Sequence, residues 1–558
     1  MKKVVALIMA LGTVGCALMS TACGPEVVDK VDKTKTALRI ANYNGGVGEE
    51  WLEKMALRFE ETYKDVPFEE GKMGVDIVLD HNKKYSGNEI GTTLPADTSN
   101  NIYFTQALYY NQFVNDGLLA DITDLVTETT GSDNKKIQDK LSEAQKDFLQ
   151  VDGKYYALPH YELYNGIQYD AGVFATKKLY FSDSFNADGT RKYILSANAK
   201  KSPGPDGIYN TYDDGLPSSY EEFYRLIDTM KDNNVIPFVW TGKSPHYTNM
   251  LLSSLHDNYV GAEFYDLLLN FEETEIELVT SHAGGTLQTK KEKLTKETAY
   301  KAKSSAGMYY ALEFCQKIFK KDSGYFPVSC TAGGYTHLDA QERLWNSGLD
   351  GDKYVGMLID GNYSYNEAEN DGILDRMKED YPLTYKQKDV RYMPMPVQYS
   401  GTVKEGEGKS PVLVDSSMSY AFINASTKGV ALEVAKKFLS FAYSDSELAQ
   451  FTLDTNGVVK GVSYDLESLA ENENLCNNGR TMLQMRSAAM QAGSFVYPYV
   501  NTPIFRANAN MFQFKSGGLF WQTKSAASVY NGFNDGMTVA KYFDEMQWTQ
   551  SQWSEIIQ

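Results

Sequence analysis

"NYNGGVGEEWLEKMALRF" (residues 42–59) joins a turn softened by glycines and flanked by Tyr43 to a run whose apolar residues recur at helical spacing. Trp51, Leu52, Met55, Ala56, Phe59 and Tyr63 fall on one face at a period of 3.6, which predicts an amphipathic helix. The stretch just before, "ALRIANYN" (residues 37–44), is short and apolar and reads as a strand. The two together form a βα unit. The first backbone N–H groups of a helix lack internal partners and point outward, so the turn between strand and helix is a place where a ligand is commonly received.

The same alternation continues along the chain. "VDIVL" (residues 75–79) and "NIYFT" (residues 101–105) read as further strands, and strand–helix–strand order implies parallel pairing through right-handed crossovers. "SSYEEFYRLIDTMKD" (residues 218–232) opens on a capping box, Ser219 with Glu222, and continues as a helix with Tyr220, Phe223, Ile227 and Met230 inward. "IPFVWTG" (residues 236–242) is a strand ending on Trp240, and "YVGMLIDG" (residues 354–361) is a buried strand. Residues 306–319 and 429–444 have helical periodicity. The chain has 558 residues, too many for one core, so two lobes or more are expected.

Residues 1–22 carry Lys2 and Lys3, an apolar run and small residues before Cys23, the layout of a secretory signal too short for a comfortable membrane span. "STAC" before Gly24 resembles a bacterial lipobox, with Ser20 where a leucine is usual. Cys23 would then be lipidated, the membrane reached only through that lipid, and residues 23–36 would form a charged tether. The expected location is the outer face of the cell membrane. The net charge of −19 repels phosphate backbones and anionic lipid surfaces, which argues against nucleic-acid binding. Cys315, Cys330 and Cys476 make an odd set with no evident disulfide framework. Cys315 sits among apolar residues at helical spacing and reads as a buried thiol, with a bridge to Cys330 the alternative. The 39 tyrosines exceed what a core needs, so some rings are expected to face a ligand.

Four blocks, in order, resemble the bacterial extracellular solute-binding family that includes maltose-binding protein, the sugar-binding lipoproteins of ABC importers. They are "EEWLEKMALRFEETY", "DGKYYALPHYELYNGIQYDAGVF" (residues 152–174), "AQERLWNSGLDGDKYVGMLIDGNYSYNEAE" (residues 340–369) and "SMSYAFINASTKGVALEVAKKFLSFAYSDSELAQ" (residues 417–450). The resemblance implies an α/β fold of two lobes. Each would have a central, mostly parallel sheet flanked by helices, and two or three crossings would join them. The crossings would fall near residues 159–166, 360–363 and 423–427. Lobe 1 would then comprise residues 37–160 with 361–424, and lobe 2 residues 165–358 with 427–558. The implied activity is capture of a carbohydrate, an oligosaccharide by the tyrosine richness, followed by delivery to importer permease subunits. The chain is expected to act as a monomer without a required cofactor.

Sugar capture needs flat rings against the CH face of a pyranose and planar polar groups for its hydroxyls. At expected strand ends and crossings the candidates are Tyr43, Asn44, His160, Tyr161, Glu162, Tyr164, Trp240, Asn362, Tyr363 and Tyr365. Ser364 departs from the family's tryptophan pair, which leaves the stacking residue open. Trp51 reads as core by its periodicity, and Trp521 is the C-terminal tryptophan best placed to escape the core.

"GPDGIYNTYDDG" (residues 204–215) alternates oxygen-bearing residues with glycines, and Asp206, Asn210, Asp213 and Asp214 could converge on one hard cation. Calcium takes six to eight oxygens and tolerates irregular loops, so a structural Ca2+ is one reading and stacked surface turns the other. A secreted glycoside hydrolase would need two carboxylates across a groove, for which Glu162 with Asp360 or Glu367 is the pair to nominate. His81, His160, His246, His256, His282 and His337 show no metal-ligand spacing, and neither a Gly-x-Ser-x-Gly elbow nor a P-loop is present. A surface adhesin or sensor would share this fold.

Overall fold

The computed structural model describes residues 31–81, 90–91, 93–106, 108, 110–129, 131–196, 198–283, 287–399, 409–416, 419–497 and 526–557. The leader, Cys23, most of the tether and Trp521 lie outside the described residues. No helix among the described residues is long and apolar enough to cross a membrane.

Two sheets organise the chain. Their strands are β1 (Thr36–Asn42), β2 (Val75–Asp80), β3 (Ile102–Thr105), β4 (Ala157–Pro159), β5 (Asn165–Asp170), β6 (Val235–Val239), β7 (Tyr354–Gly361), β8 (Val390–Met393) and β9 (Tyr420–Ile423). The first sheet has the order β2-β1-β3-β9-β4 and the second β6-β7-β5-β8. In the first, β1 to β4 run one way and β9 alone is reversed; in the second, β6, β7 and β8 run one way and β5 alone is reversed. Each reversed strand is the first in its sheet after the chain has crossed from the other. The carboxyl ends of the forward strands therefore meet the amino ends of the reversed ones: Tyr420 opposes both Thr105 and Pro159, and Gly361 opposes Asn165. The fold is two-lobed α/β, and these strand ends converge on the region between the sheets, where open α/β sheets bind ligands.

The helices form where the periodicity placed them. Glu50–Thr62 (α1) buries Trp51, Leu52, Met55, Ala56 and Phe59. Trp51 is 1% exposed and is edge-on to Phe104 and Phe451, each with its centroid 5.1 Å away. Truncating a ring so enclosed to alanine costs about 3–5 kcal/mol. In Tyr220–Asp232 (α2) Ser219 caps the Glu222 N–H at 3.1 Å, but the Glu222 carboxylate accepts from the Ser218 N–H and from Arg191, so half of the expected box forms. Cys315, Cys330 and Cys476 are free thiols, the first two buried.

The division of segments corrects the expected one. The short strand β8 joins the second sheet, so residues 361–393 stay with that lobe instead of opening a 361–424 piece of the first. Its four residues run into Pro394, which concealed it from a pattern search. Ser364–Asn370 (α3) follows β7 directly, so 360–363 is not a crossing. Val430–Ala442 (α4) and Asp445–Asp454 (α5) pack on β1 and α1, which returns 430–454 to the first lobe and removes the crossing at 423–427. Asn477–Gln491 (α6) then packs on β8 in the second lobe.

Residues 397 and 409–414 still pair with the second lobe, so the crossings are residues 160–164, the link from Asp415 and Ser416 into β9, and residues 455–476, the first as expected. They lie side by side with 160–164 in the middle. On one flank the His160 N–H donates to the Ser419 carbonyl at 2.9 Å and the Ser416 N–H to the Leu163 carbonyl at 2.8 Å; on the other the Glu162 N–H donates to the Val459 carbonyl at 2.9 Å.

Candidate functional site

The opening turn faces the second lobe. Gly46 and Gly48 have φ of +61° and +74°, the left-handed region that side chains resist. Asn42 Nδ2 holds the turn by donating to the Asn44 Oδ1 at 2.7 Å and to the Gly48 carbonyl at 3.0 Å, while Asn44 Nδ2 donates to Glu49 at 2.6 Å. Asn44 thus fastens the turn from within. A Cβ on Gly46 would lie 3.5 Å from the Tyr363 ring, and one on Gly48 would lie 1.9 Å from Asn370 Nδ2. Tyr363 follows β7 and Asn370 ends α3, so the lobes touch here; a side chain at Gly46 would make ordinary contact, whereas one at Gly48 would displace Asn370.

Rings gather around this contact. From the first lobe come Tyr43, half-buried, and Tyr161, whose hydroxyl accepts from Gln106 Nε2 at 2.7 Å. From the second come Tyr363, which hydrogen-bonds Tyr247, and His337, stacked on Tyr247 at 5.6 Å between centroids. Of the expected candidates, then, Tyr43 and Tyr363 stand at the interlobe contact, with Tyr161 buried in the first crossing near Tyr43. Tyr247 and Gln106 join them from positions with no motif to mark them.

The other candidates serve the framework. His160 is 1% exposed, its Nδ1 2.6 Å from Lys460 Nζ. The ammonium sits over Phe451, Trp51 and Phe104 at 4.3, 4.6 and 5.1 Å, the geometry of a cation held by ring faces. Burial pushes both groups well below their usual pKa ranges, with the Lys460 charge adding to the effect on His160. This pair ties the first crossing to the third. Glu162 is fully buried against Arg486 and Tyr497. Tyr164 is buried, its hydroxyl donating to the Met482 carbonyl at 3.3 Å. Asn362 is spent on the first crossing: Nδ2 donates to the Glu162 carbonyl at 3.0 Å and Oδ1 accepts from the Tyr164 N–H.

Trp240 and Tyr365 are corrections of a different kind. Trp240 is 2% exposed, wedged between Phe326 and Phe319 at 4.2 and 4.8 Å, so it packs the second lobe. Tyr365 is half-buried on α3 and stands edge-on to Trp345 at 5.9 Å, packed against its own lobe. Two positions separate the two tyrosine roles, and Tyr363, just before the helix, keeps the interlobe position.

Beside Tyr363 lies a carboxylate cluster that sugar chemistry alone did not single out. Gln341 Nε2 donates to Asp360 Oδ2 at 2.9 Å and to Glu367 Oε2 at 2.8 Å. Burial raises both carboxyls above the usual range, and the Asp360 charge raises Glu367 further; the Gly46 amide across the lobes pulls Glu367 partly back. His337 Nε2 is 3.8 Å from Glu367.

The Asp–Gly loop lies apart from this contact. Asp206 accepts the Ile208 N–H, Asp213 the Asp206 N–H, and Asp214 the N–H groups of Asn210 and Thr211. Asn210 enters through its backbone, with φ of +65°. Asp213 is wholly buried and also accepts from Thr211 Oγ1 at 2.8 Å. Burial raises the carboxyls of Asp206 and Asp213, and the nearness of Asp206 raises Asp213 further.

No family model matches the chain, and no curated protein sequence does. Among solved structures, the chain is similar to a chitin oligosaccharide binding protein with a TM-score of 0.50 at 16% identity, over 92% of this chain and 99% of that one. At that identity the likeness is one of fold, and it runs through both lobes.

Proposed function

We propose that the chain captures a carbohydrate, specifically an oligosaccharide, between its two lobes and releases it unaltered. The observation that carries this reading is the meeting of the glycine turn with Tyr363 across the lobes, above three crossings that lie side by side. A few residues changing their backbone angles in those crossings would open and close the lobes around a guest. Tyr43 is half-buried, and Tyr161, Tyr247 and Tyr363, buried in this arrangement, would bare ring faces as the lobes part; with Gln106 and His337 as planar polar groups they make the composition that a neutral polyhydroxyl ligand requires. The fold shared with a chitin oligosaccharide binding protein supports the same ligand class.

Binding without turnover fits the buried acids. Glu162 is fully buried with both carboxylate oxygens taken by Arg486 and Tyr497, so it faces no groove across from Asp360 or Glu367, as a hydrolase pair must. In the full proposal the chain is an extracellular lipoprotein held at the membrane by Cys23, a monomer that hands its ligand to ABC importer permeases. The Asp206–Asp213 pair would take a structural Ca2+, which relieves the repulsion between the buried Asp213 carboxylate and its half-buried neighbour Asp206. Thermal melting across a panel of neutral oligosaccharides, with chromatography of the recovered ligand, tests the reading. A raised melting temperature with intact ligand supports it; cleaved ligand contradicts it.

A further inference from the structure

The reversed strand β5 leaves the crossings at Asn165 and ends at Asp170, opposite the start of β8. At that far end of the second lobe opens a pocket of about 470 Å³, within the roughly 300–1,000 Å³ of small-molecule sites. Tyr180, Ile194 and Leu195 form apolar wall, and Lys178, Lys201 and Arg391 line it with a single acid, Asp389. Three cations against one carboxylate stand out on a chain of net charge −19.

The acids nearby are committed. Asp389 accepts from Arg391 Nε at 2.9 Å and Nη2 at 2.7 Å and from Asn477 Nδ2 at 2.8 Å, which fixes the guanidinium plane and leaves Nη1 without a hydrogen bond among the described residues. Asp170 is paired with Lys388 at 2.8 Å, and Asp214, which also acts on Lys201, accepts two backbone N–H groups of its own loop. Lys201 Nζ lies 3.6 Å from the Tyr180 ring centroid, with no hydrogen bond or ion pair among the described residues. Burial and the Arg391 charge both hold its pKa below the usual lysine range, the state of a cation short of a counter-ion.

We propose that this pocket is a second ligand site, separate from the interlobe contact, for a small organic anion whose acidic head meets Lys201 and Arg391 and whose apolar body lies on Tyr180, Ile194 and Leu195. A fixed guanidinium edge suits a planar carboxylate or a phosphate oxygen pair, and the apolar wall separates such a ligand from a bare inorganic ion.

The test is calorimetric titration of the whole chain with benzoate, phenyl phosphate, inorganic phosphate and benzyl alcohol. The two aryl acids distinguish the head group; the ion and the alcohol supply head and body alone. One aryl acid is expected to bind saturably at one site, about tenfold or more tighter than either half, and to weaken as salt is raised. Lys201→Gln and Arg391→Gln are each expected to lower its affinity about tenfold, and Lys201→Arg to retain it. Because Arg391→Gln also unpairs Asp389, the exposed Lys178→Gln provides a variant without a packing role, expected to lose a few-fold. No saturable binding of either aryl acid, or binding indifferent to all of these substitutions, overturns the proposal.

Discussion

Arg486 grips Glu162 with two prongs, Nε on one carboxylate oxygen at 2.5 Å and Nη2 on the other at 2.8 Å, and the Tyr497 hydroxyl donates to the second oxygen at 2.6 Å. Glu162 belongs to the first crossing and Arg486 to α6, beyond the third, so the pair braces the connection between the lobes. Removing one partner of a buried pair leaves a charge without compensation. Arg486→Ala is expected to cost about 3–5 kcal/mol in urea unfolding, and adding Glu162→Gln to recover a large part of it.

The cluster of Asp360, Gln341 and Glu367 makes stability fall as pH rises. Both carboxyls are raised in the folded state, so above the unfolded carboxyl pKa the folded chain binds more protons than the unfolded one. Their contribution is greatest in acid and is lost as pH climbs through the raised folded values. Glu367→Gln is expected to raise the melting temperature more at pH 8 than at pH 5, read by scanning calorimetry at the two pH values. An equal shift at both would show that the carboxyl does not titrate in this range.

Gly48→Ala would place a methyl against Asn370 of the other lobe in a left-handed backbone. The expected cost is about 1–2 kcal/mol of stability from the backbone, and about tenfold in glycan affinity, since 1.4 kcal/mol of blocked closure is a factor of ten. Adding Asn370→Ala should restore the affinity and leave the stability loss. Melting curves and titrations of the three variants separate the two effects.

If the Asp206–Asp213 pair takes Ca2+, millimolar Ca2+ should raise the melting temperature of the wild-type chain, a chelator should reverse the rise, and Asp213→Asn should abolish the response. No difference between Ca2+ and chelator would leave these carboxyls as turn caps only.

Local signals carried the strands and helices well. The face containing Trp51 and the Ser219 cap depend on residues a few positions apart, and both formed as the spacing implied. The boundaries of the lobes depend on which sheet a short strand joins, and β8 carries no pattern of its own that reports its partner. The site was legible to the same depth. Strand ends brought Tyr43 and Tyr363 to the contact between the lobes, where their part in binding is a proposal, whereas His160, Glu162 and Trp240 were drawn inward by Lys460, Arg486 and Phe326, partners 300, 324 and 86 positions away. Nothing short-range marks such partners.

Calorimetric titration across neutral oligosaccharides bears most directly on the proposed capture between the lobes, read beside Tyr43→Ala and Tyr363→Ala. The expected result is one bound glycan per chain with an affinity in about the micromolar range or tighter, lowered about tenfold or more by either substitution. Silence toward every glycan with saturable binding of peptides, or glycan binding untouched by the loss of both rings, would contradict it.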